Sequence, residues 1–414
     1  MVPAMLRRCL CTGVVAVLVL AMLPAGAPHA KVGRHRYIVV LDEGANPRTV
    51  ARAHGVRAAY VYRHALQGFA GRFTAAQVAR LRGDDRVRAV ARDRRVSLDA
   101  QLLPTGVDRV DAEQSPTADI DGRDDAPVDA DIAILDTGVD LEHPDLNVVG
   151  GINCVAPEPH LGRYDDLQGH GTHVAGTAAA IDNGQYVVGV APGARIWSVR
   201  VLNGAGLGFT SQIVCGIDWV TAHADTIEVA NMSLGGAALD NDGCATTADV
   251  EHVAICASVA AGVTYTVSAG NSATDAVNAS PANYDEVITV SALADFDGEP
   301  GGEGDPTCRS DEDDTLASFS NFGPEVDLIA PGVCIVSTAS THDSRYGKDG
   351  LAAFSGTSMA APHAAGAAAL YLSTHPNATP AEVRTALRQA GTTSWNAEDD
   401  GDAMKEPLLN VAGF

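Results

Sequence analysis

Basic and aromatic side chains are scarce in this chain. Of 414 residues, 28 are Lys or Arg against 52 Asp or Glu, and only 5% are Phe, Trp or Tyr. The resulting net charge of −24 argues against a nucleic-acid partner, because phosphate binding needs the opposite sign. No Cys-x-x-Cys pair occurs, which argues against structural zinc. Gly-x-Ser-x-Gly is absent too, which excludes a lipase or esterase of the α/β-hydrolase type. Asp136-Thr-Gly has no second Asp-Thr/Ser-Gly to complete an aspartic-protease dyad, and there is no internal repeat. The apolar run from Val14 to Leu23 is too short to cross a bilayer.

That run instead reads as part of an export signal over residues 1–30. It follows the charged pair Arg7 and Arg8, and small residues Ala25, Ala27 and Ala30 come after it. A secreted protein is expected, with no membrane contact once the signal is removed. Cys9 and Cys11 are lost with the signal, and six cysteines remain, an even set that suits disulfides in an exported chain. Six cysteines allow 15 connectivities. Closeness in sequence favours Cys244–Cys256 and Cys308–Cys334, and elimination leaves Cys154–Cys215.

Charge divides the rest. Residues 31–100 carry 15 Lys and Arg against 6 Asp and Glu, net +9, whereas residues 101–414 carry 11 against 46, net −35. The basic part reads as a small α+β unit in the order β-α-β-β-α-β. Strands are expected at 37–41, 58–62, 68–73 and 87–91, and helices near 47–54 and from Thr74, where Gln77 completes a capping box. A polar linker follows from Leu98 to Asp129. Beyond it, nearly continuous apolar runs at 132–135, 196–201, 227–232, 264–268 and 287–290 alternate with helical stretches such as 212–223. Strands buried on both faces point to a parallel α/β sheet with helices on both sides.

Four stretches carry chemistry. Asp136 ends the first sheet strand, where α/β sheets place their sites. Gly169-His170-Gly-Thr-His173 opens a helix with an exposed histidine that could act as a general base, given a carboxylate to orient it. His173 is assigned a supporting hydrogen bond, and the pair lacks a third metal ligand. Gly356-Thr-Ser358-Met-Ala-Ala-Pro362 sets a hydroxyl at the first turn of a buried helix. Gly270-Asn271 puts an amide just after a buried strand, where it could stabilise an oxyanion together with the Ser358 N–H. Read singly, each is ambiguous: a helix cap, a turn residue, a structural histidine.

Together, in this order, the stretches around Asp136, His170, Asn271 and Ser358 resemble those of the subtilisin-type serine proteases, over about residues 105 to 413. The resemblance implies a three-layer parallel sheet and a secreted endopeptidase working through an acyl-enzyme. In it Asp136 orients, His170 is the base, Ser358 the nucleophile and Asn271 the oxyanion donor. Ser233, Leu234, Gly235 and Gly236 resemble the edge segment that pairs with an extended substrate. Residues 31–100 resemble an inhibitory propeptide with a ferredoxin-like order, and the peptidase domain covers 101–414. Within the family the likeness is to the secreted proteinase K-like group, from which the acidic insert Asp295 to Asp314 departs. The expected partners are polypeptide substrates and the chain's own propeptide, which a +9 module can supply to a −35 one by long-range attraction. A monomer is expected. Self-cleavage is expected between about Leu98 and Pro104. No cofactor is expected for catalysis. Structural calcium is, with candidate loops at Asp119–Asp125, Asp295–Asp305 and Asp399–Asp402 but no named ligands. A catalytically silent peptide-binding protein is the alternative class.

Overall fold

The computed structural model describes residues 35–42, 44–92, 101–155, 163–238, 242–342, 350–396, 402 and 404–414. The signal, the cleavage region at 98–100 and most of Asp399–Asp402 lie outside these residues. The chain divides into two compact units, Met1–Ser97 and Leu98–Phe414.

In the first unit the expected order is found: β1 (His35–Leu41), α1 (Pro47–Ala53), β2 (Tyr60–Tyr62), β3 (Gly68–Phe73), α2 (Ala75–Arg82) and β4 (Val87–Arg92). The strands form an antiparallel sheet in the order β2-β3-β1-β4. Alternate β1 residues Tyr37, Val39 and Leu41 point into a core that includes Val50 of α1, Phe69 and Phe73 of β3, and Val78 and Leu81 of α2. Two caps fix where the helices begin. Asn46 Oδ1 accepts from the N–H groups of Arg48 and Thr49, and Thr74 and Gln77 form a reciprocal capping box.

The second unit runs α3 (Thr105–Arg109), β5 (Asp131–Asp136), β6 (Val148–Asn153), α4 (His170–Ala179), β7 (Arg195–Arg200), α5 (Thr210–Thr221), β8 (Val229–Met232), β9 (Gly236–Ala237), α6 (Val250–Ala260) and β10 (Thr264–Ser268). It continues with β11 (Ala279–Ser280), β12 (Ile288–Ala294), β13 (Thr315–Leu316), β14 (Leu328–Pro331), β15 (Ile335–Thr338), β16 (Leu351–Phe354), α7 (Thr357–Thr374) and α8 (Pro380–Ala390). Seven strands pair in parallel as β6-β7-β5-β8-β10-β12-β14, and β13 adds an antiparallel edge to β12.

Burial on both faces explains the continuous apolar runs. In β5, Ile132 and Ile134 enter the core shared with α4 and α7, whereas Ala133 and Leu135 enter the one containing residues of α5 and α6. The chain leaves β5 toward β7 and β6 on one side and returns to β8 on the other. This reversal is the position at which open α/β sheets form a crevice at their carboxyl ends. The disulfides are Cys154–Cys215, Cys244–Cys256 and Cys308–Cys334, the three pairs favoured by the sequence.

Candidate active site

Asp136 is the last residue of β5 and is fully buried. Its carboxylate accepts from the Thr137 N–H (2.7 Å) and faces His170 Nδ1 with both oxygens, at 2.8 and 2.9 Å. With an acceptor on that side, Nδ1 carries the proton, and Nε2 is left as the basic nitrogen. His170 is the first residue of α4. The turn into it needs Gly169, whose φ is 103°. Gly171 brings the helix against the loop after β5, since a Cβ there would lie 2.0 Å from the Gly138 carbonyl oxygen. Burial lowers the His170 pKa, but the Asp136 charge and hydrogen bond outweigh it, so the net shift is upward from the ordinary imidazole value.

His173 does what was expected of it. Its Nε2 donates to the carbonyls of Ile335 (2.9 Å) and Ala352 (3.2 Å), and its ring stacks on Phe354. Burial drives its pKa down to about 3, so it stays neutral and ties α4 to the hairpin that leads into α7.

Ser358 is the second residue of α7. Four residues on stands Pro362, which lacks the N–H that would bond the Ser358 carbonyl. Ser233 Oγ donates to that carbonyl instead, at 2.8 Å. The Ser358 hydroxyl in turn donates to the Ser233 carbonyl at 3.3 Å, which holds it against the segment after β8. Asn271 Oδ1 accepts from the Thr357 N–H (2.8 Å) and hydroxyl (3.1 Å), which leaves its Nδ2 donors for the cleft. Asn321, which the sequence reading missed, steadies this loop by accepting from the N–H groups of Ser272 and Thr274 and donating to Ala269 O. Its place is 50 residues downstream, and nothing local marks it.

These side chains line one cleft with two adjoining parts. One, of about 420 Å³, is bounded by Thr137, His170, Leu207, Ile213 and Ser233. The other, of about 400 Å³, is bounded by Ser268, Asn271, Ser280 and Ser358, and Leu234 and Gly235 border both. Ser233–Gly235 lies outside any strand, between β8 and β9. Gly236 is already paired with Ser280, and a Cβ on Gly235 would meet Ser280 O at 2.8 Å. A further cavity, of about 810 Å³, lies away from this chemistry, between residues 300–314 and Trp395.

A hydroxyl, an imidazole oriented by a buried carboxylate and an amide donor share this cleft, which is the equipment for acyl transfer. The subtilase family model matches residues 129–405, and the peptidase inhibitor I9 model matches 36–99. The chain belongs to the subtilase family. This subtilase is 32% identical to a thermostable alkaline protease of Halalkalibacterium halodurans over 89% of either chain. It is 36% identical to subtilisin E of Bacillus subtilis, over 77% of this chain and 74% of that one. With an extracellular serine proteinase of a Thermus species the figure is 38%, over 80% and 73%. A crystal structure of a cold-adapted subtilisin-like serine proteinase superposes with a TM-score of 0.57 at 32% identity, covering 76% of this chain and 99% of that one. The subtilase is a serine endopeptidase with an N-terminal inhibitor-type domain.

Acidic groups that could hold a cation are present. In the insert, Asp295, Asp297 and Asp313 bring carboxylate oxygens within 4.8 Å of one another. All three are already engaged: Asp295 pairs with Arg109 (2.8 Å), Asp297 accepts from the Glu299 N–H (2.9 Å), and Asp313 accepts from the N–H groups of Phe296 and Gly304. A different carboxylate, Asp145, is fully buried and bonded only to neutral groups, the Asn183 amide (2.8 Å) and the Val187 N–H (3.2 Å). Burial pushes its pKa up to about 7. Gln101 joins this loop through the Gly184 N–H and the Ile181 carbonyl.

Proposed function

We propose that Ser358 is the nucleophile, His170 its general base, Asp136 the group that orients and stabilises the imidazole, and Asn271 with the Ser358 N–H the oxyanion hole. The observation that carries this reading is the grip of both Asp136 oxygens on His170 Nδ1, across a cleft that also holds Ser358. As substrate binds, the Ser358 hydroxyl leaves the Ser233 carbonyl and gives its proton to His170 Nε2 while the oxygen attacks the peptide carbonyl. The oxyanion is met by Asn271 Nδ2. His170 then protonates the leaving amine, and water hydrolyses the acyl-enzyme by the same route. Ser233, Leu234, Gly235 and Gly236 form the wall along which an extended polypeptide lies.

The division into a signal (1–30), an inhibitory propeptide (31–100) and a peptidase domain (101–414) belongs to the same reading, and the inhibitor-type match over 36–99 supports it. So do secretion as a self-processing zymogen and action as a monomer. A serine-directed fluorophosphonate tests the assignment: it labels wild-type protein at Ser358 and leaves His170→Ala unlabelled. Labelling that persists without His170, or casein hydrolysis by Ser358→Ala, rejects it.

Calcium is the structural cofactor in this reading, held around Asp145 by the oxygens of Gln101, Asn183 and Ile181. A buried carboxylate with neutral neighbours gains most from a hard cation, and side-chain and carbonyl oxygens are the donors such an ion takes. Gln101 and Asn183 present oxygen in place of nitrogen by turning over their amides.

A further inference from the structure

Asp166 sits four residues before His170 and is fully buried. Its Oδ1 accepts from Thr137 Oγ1 (3.0 Å) and the N–H groups of Gln168 (2.8 Å) and Gly169 (2.9 Å). Its Oδ2 accepts from the Thr172 N–H (3.0 Å) and hydroxyl (2.6 Å). Thr137 directly follows Asp136, and its Oγ1 also accepts from the Gly171 N–H (3.0 Å). One carboxylate therefore laces the end of β5 to the first turn of α4, the two elements that carry Asp136 and His170. All five donors are neutral, so no ion pair cancels its charge. A negative group is also favoured at this helix end, where the first N–H groups of α4 have no partner within the helix.

We propose that Asp166 is a positioning residue for the general base, fixing the distance between Asp136 and His170 and placing a second uncompensated negative charge behind the imidazole. The inference rests on the assignment of His170 as the base. Burial opposes protonation of His170 and Asp136 favours it most strongly, with the charge of Asp166 acting in the same direction as Asp136. The other charged or titratable groups around this loop are Asp165, Asp140, His342, Arg200 and His173. His342 lies 3.5 Å from Asp140 and 3.2 Å from Asp165, Arg200 donates to the Asp165 carbonyl, and His173 is neutral. All of them stay in place when Asp166 is changed.

The experiment compares Asp166→Asn, Asp166→Glu and Thr172→Val after maturation, and His170→Ala after its N-terminal unit has been cut off by an added protease, with a peptide-amide substrate across pH. Asp166→Asn keeps the size and removes the charge. Its kcat is expected to fall roughly 10- to 100-fold with KM within about twofold, as for a misplaced catalytic group. The acid limb of kcat/KM is expected to move to lower pH, because a nearby anion no longer favours the imidazolium. Thr172→Val removes one donor to Asp166 and the acceptor of the Asp140 N–H (3.0 Å) but no charge, so kcat falls and the limb stays. An unmoved limb in Asp166→Asn, or a loss confined to KM, overturns the proposal. If Asp166→Asn does not mature, Asp166→Glu decides: lowered kcat on the wild-type limb supports the proposal, and undiminished kcat sinks it. His170→Ala separates the two readings. Should that variant stay active, the base assignment fails; should it be dead while Asp166→Asn keeps the wild-type limb, only the role of Asp166 fails.

Discussion

Removing calcium is expected to cost this subtilase a large part of its thermal margin, and Asp145 is expected to be the residue through which the loss acts. Without an ion, Asp145 is an ionisable group sealed among neutral donors, and burial, partly opposed by its hydrogen bonds to Asn183 and Val187, pushes its pKa up to about 7. A cation at this point neutralises the charge and recruits the Gln101, Ile181 and Asn183 oxygens into one loop. One carboxylate among neutral oxygens suits the weaker class of calcium sites, with Kd on the order of 0.1 mM. At about 10 mM calcium, roughly 100 times that Kd, the folded state gains about 2.7 kcal/mol. For a unit as large as Leu98–Phe414, whose unfolding entropy is about 0.66 kcal/mol/K, that is a rise in Tm of roughly 4 °C. The assay is thermal denaturation of Ser358→Ala protein, which cannot digest itself, in EGTA and in calcium. Wild-type ligands give the shift, while Asp145→Asn gives little or none. A calcium-dependent shift of the same size in Asp145→Asn would refute the reasoning and move the ion to another cluster, with Asp295, Asp297 and Asp313 the next to test.

Ser358→Ala protein is expected to keep its N-terminal unit attached, so intact-mass analysis shows no cut near Leu98–Pro104; the mature wild-type N-terminus in that variant rejects self-processing. Because His170 must be neutral to accept a proton and its pKa is raised, kcat/KM falls as pH drops, with a midpoint above the ordinary imidazole value. A midpoint below that value contradicts the Asp136 contact. Asn271→Ala is expected to lower kcat by about 10²–10³ with little change in KM, the size this donor carries in a subtilisin rather than one worked out from this chain. Raising ionic strength weakens inhibition by the isolated propeptide if the attraction between +9 and −35 matters. An inhibition constant unchanged from low to high salt rules that attraction out.

Much of the architecture was legible because its signals are local. Thr74 and Gln77 announced α2, and the apolar run at 264–268 proved to be β10 from end to end. The boundary of β8 shifted by two residues, to Val229, because Ile227 is buried in the core but precedes the ladder. Asp136, His170 and Ser358 could be named because each sits at the end of a strand or the start of a helix, where side chains reach a crevice. By itself the sequence determined the charge division, the alternation of buried strands and helices, and the four chemical stretches. Their meaning rested on likeness to a family.

Only the tertiary structure decided which partners meet. Gln101, Asp145 and Asn183 come together from three places spread over about 80 residues, Asn321 braces a loop 50 residues before it, and Pro362 frees a carbonyl for Ser233. Such contacts carry no periodicity and no turn chemistry. They arise when packed elements bring distant polar groups out of water and each must find a donor or acceptor there.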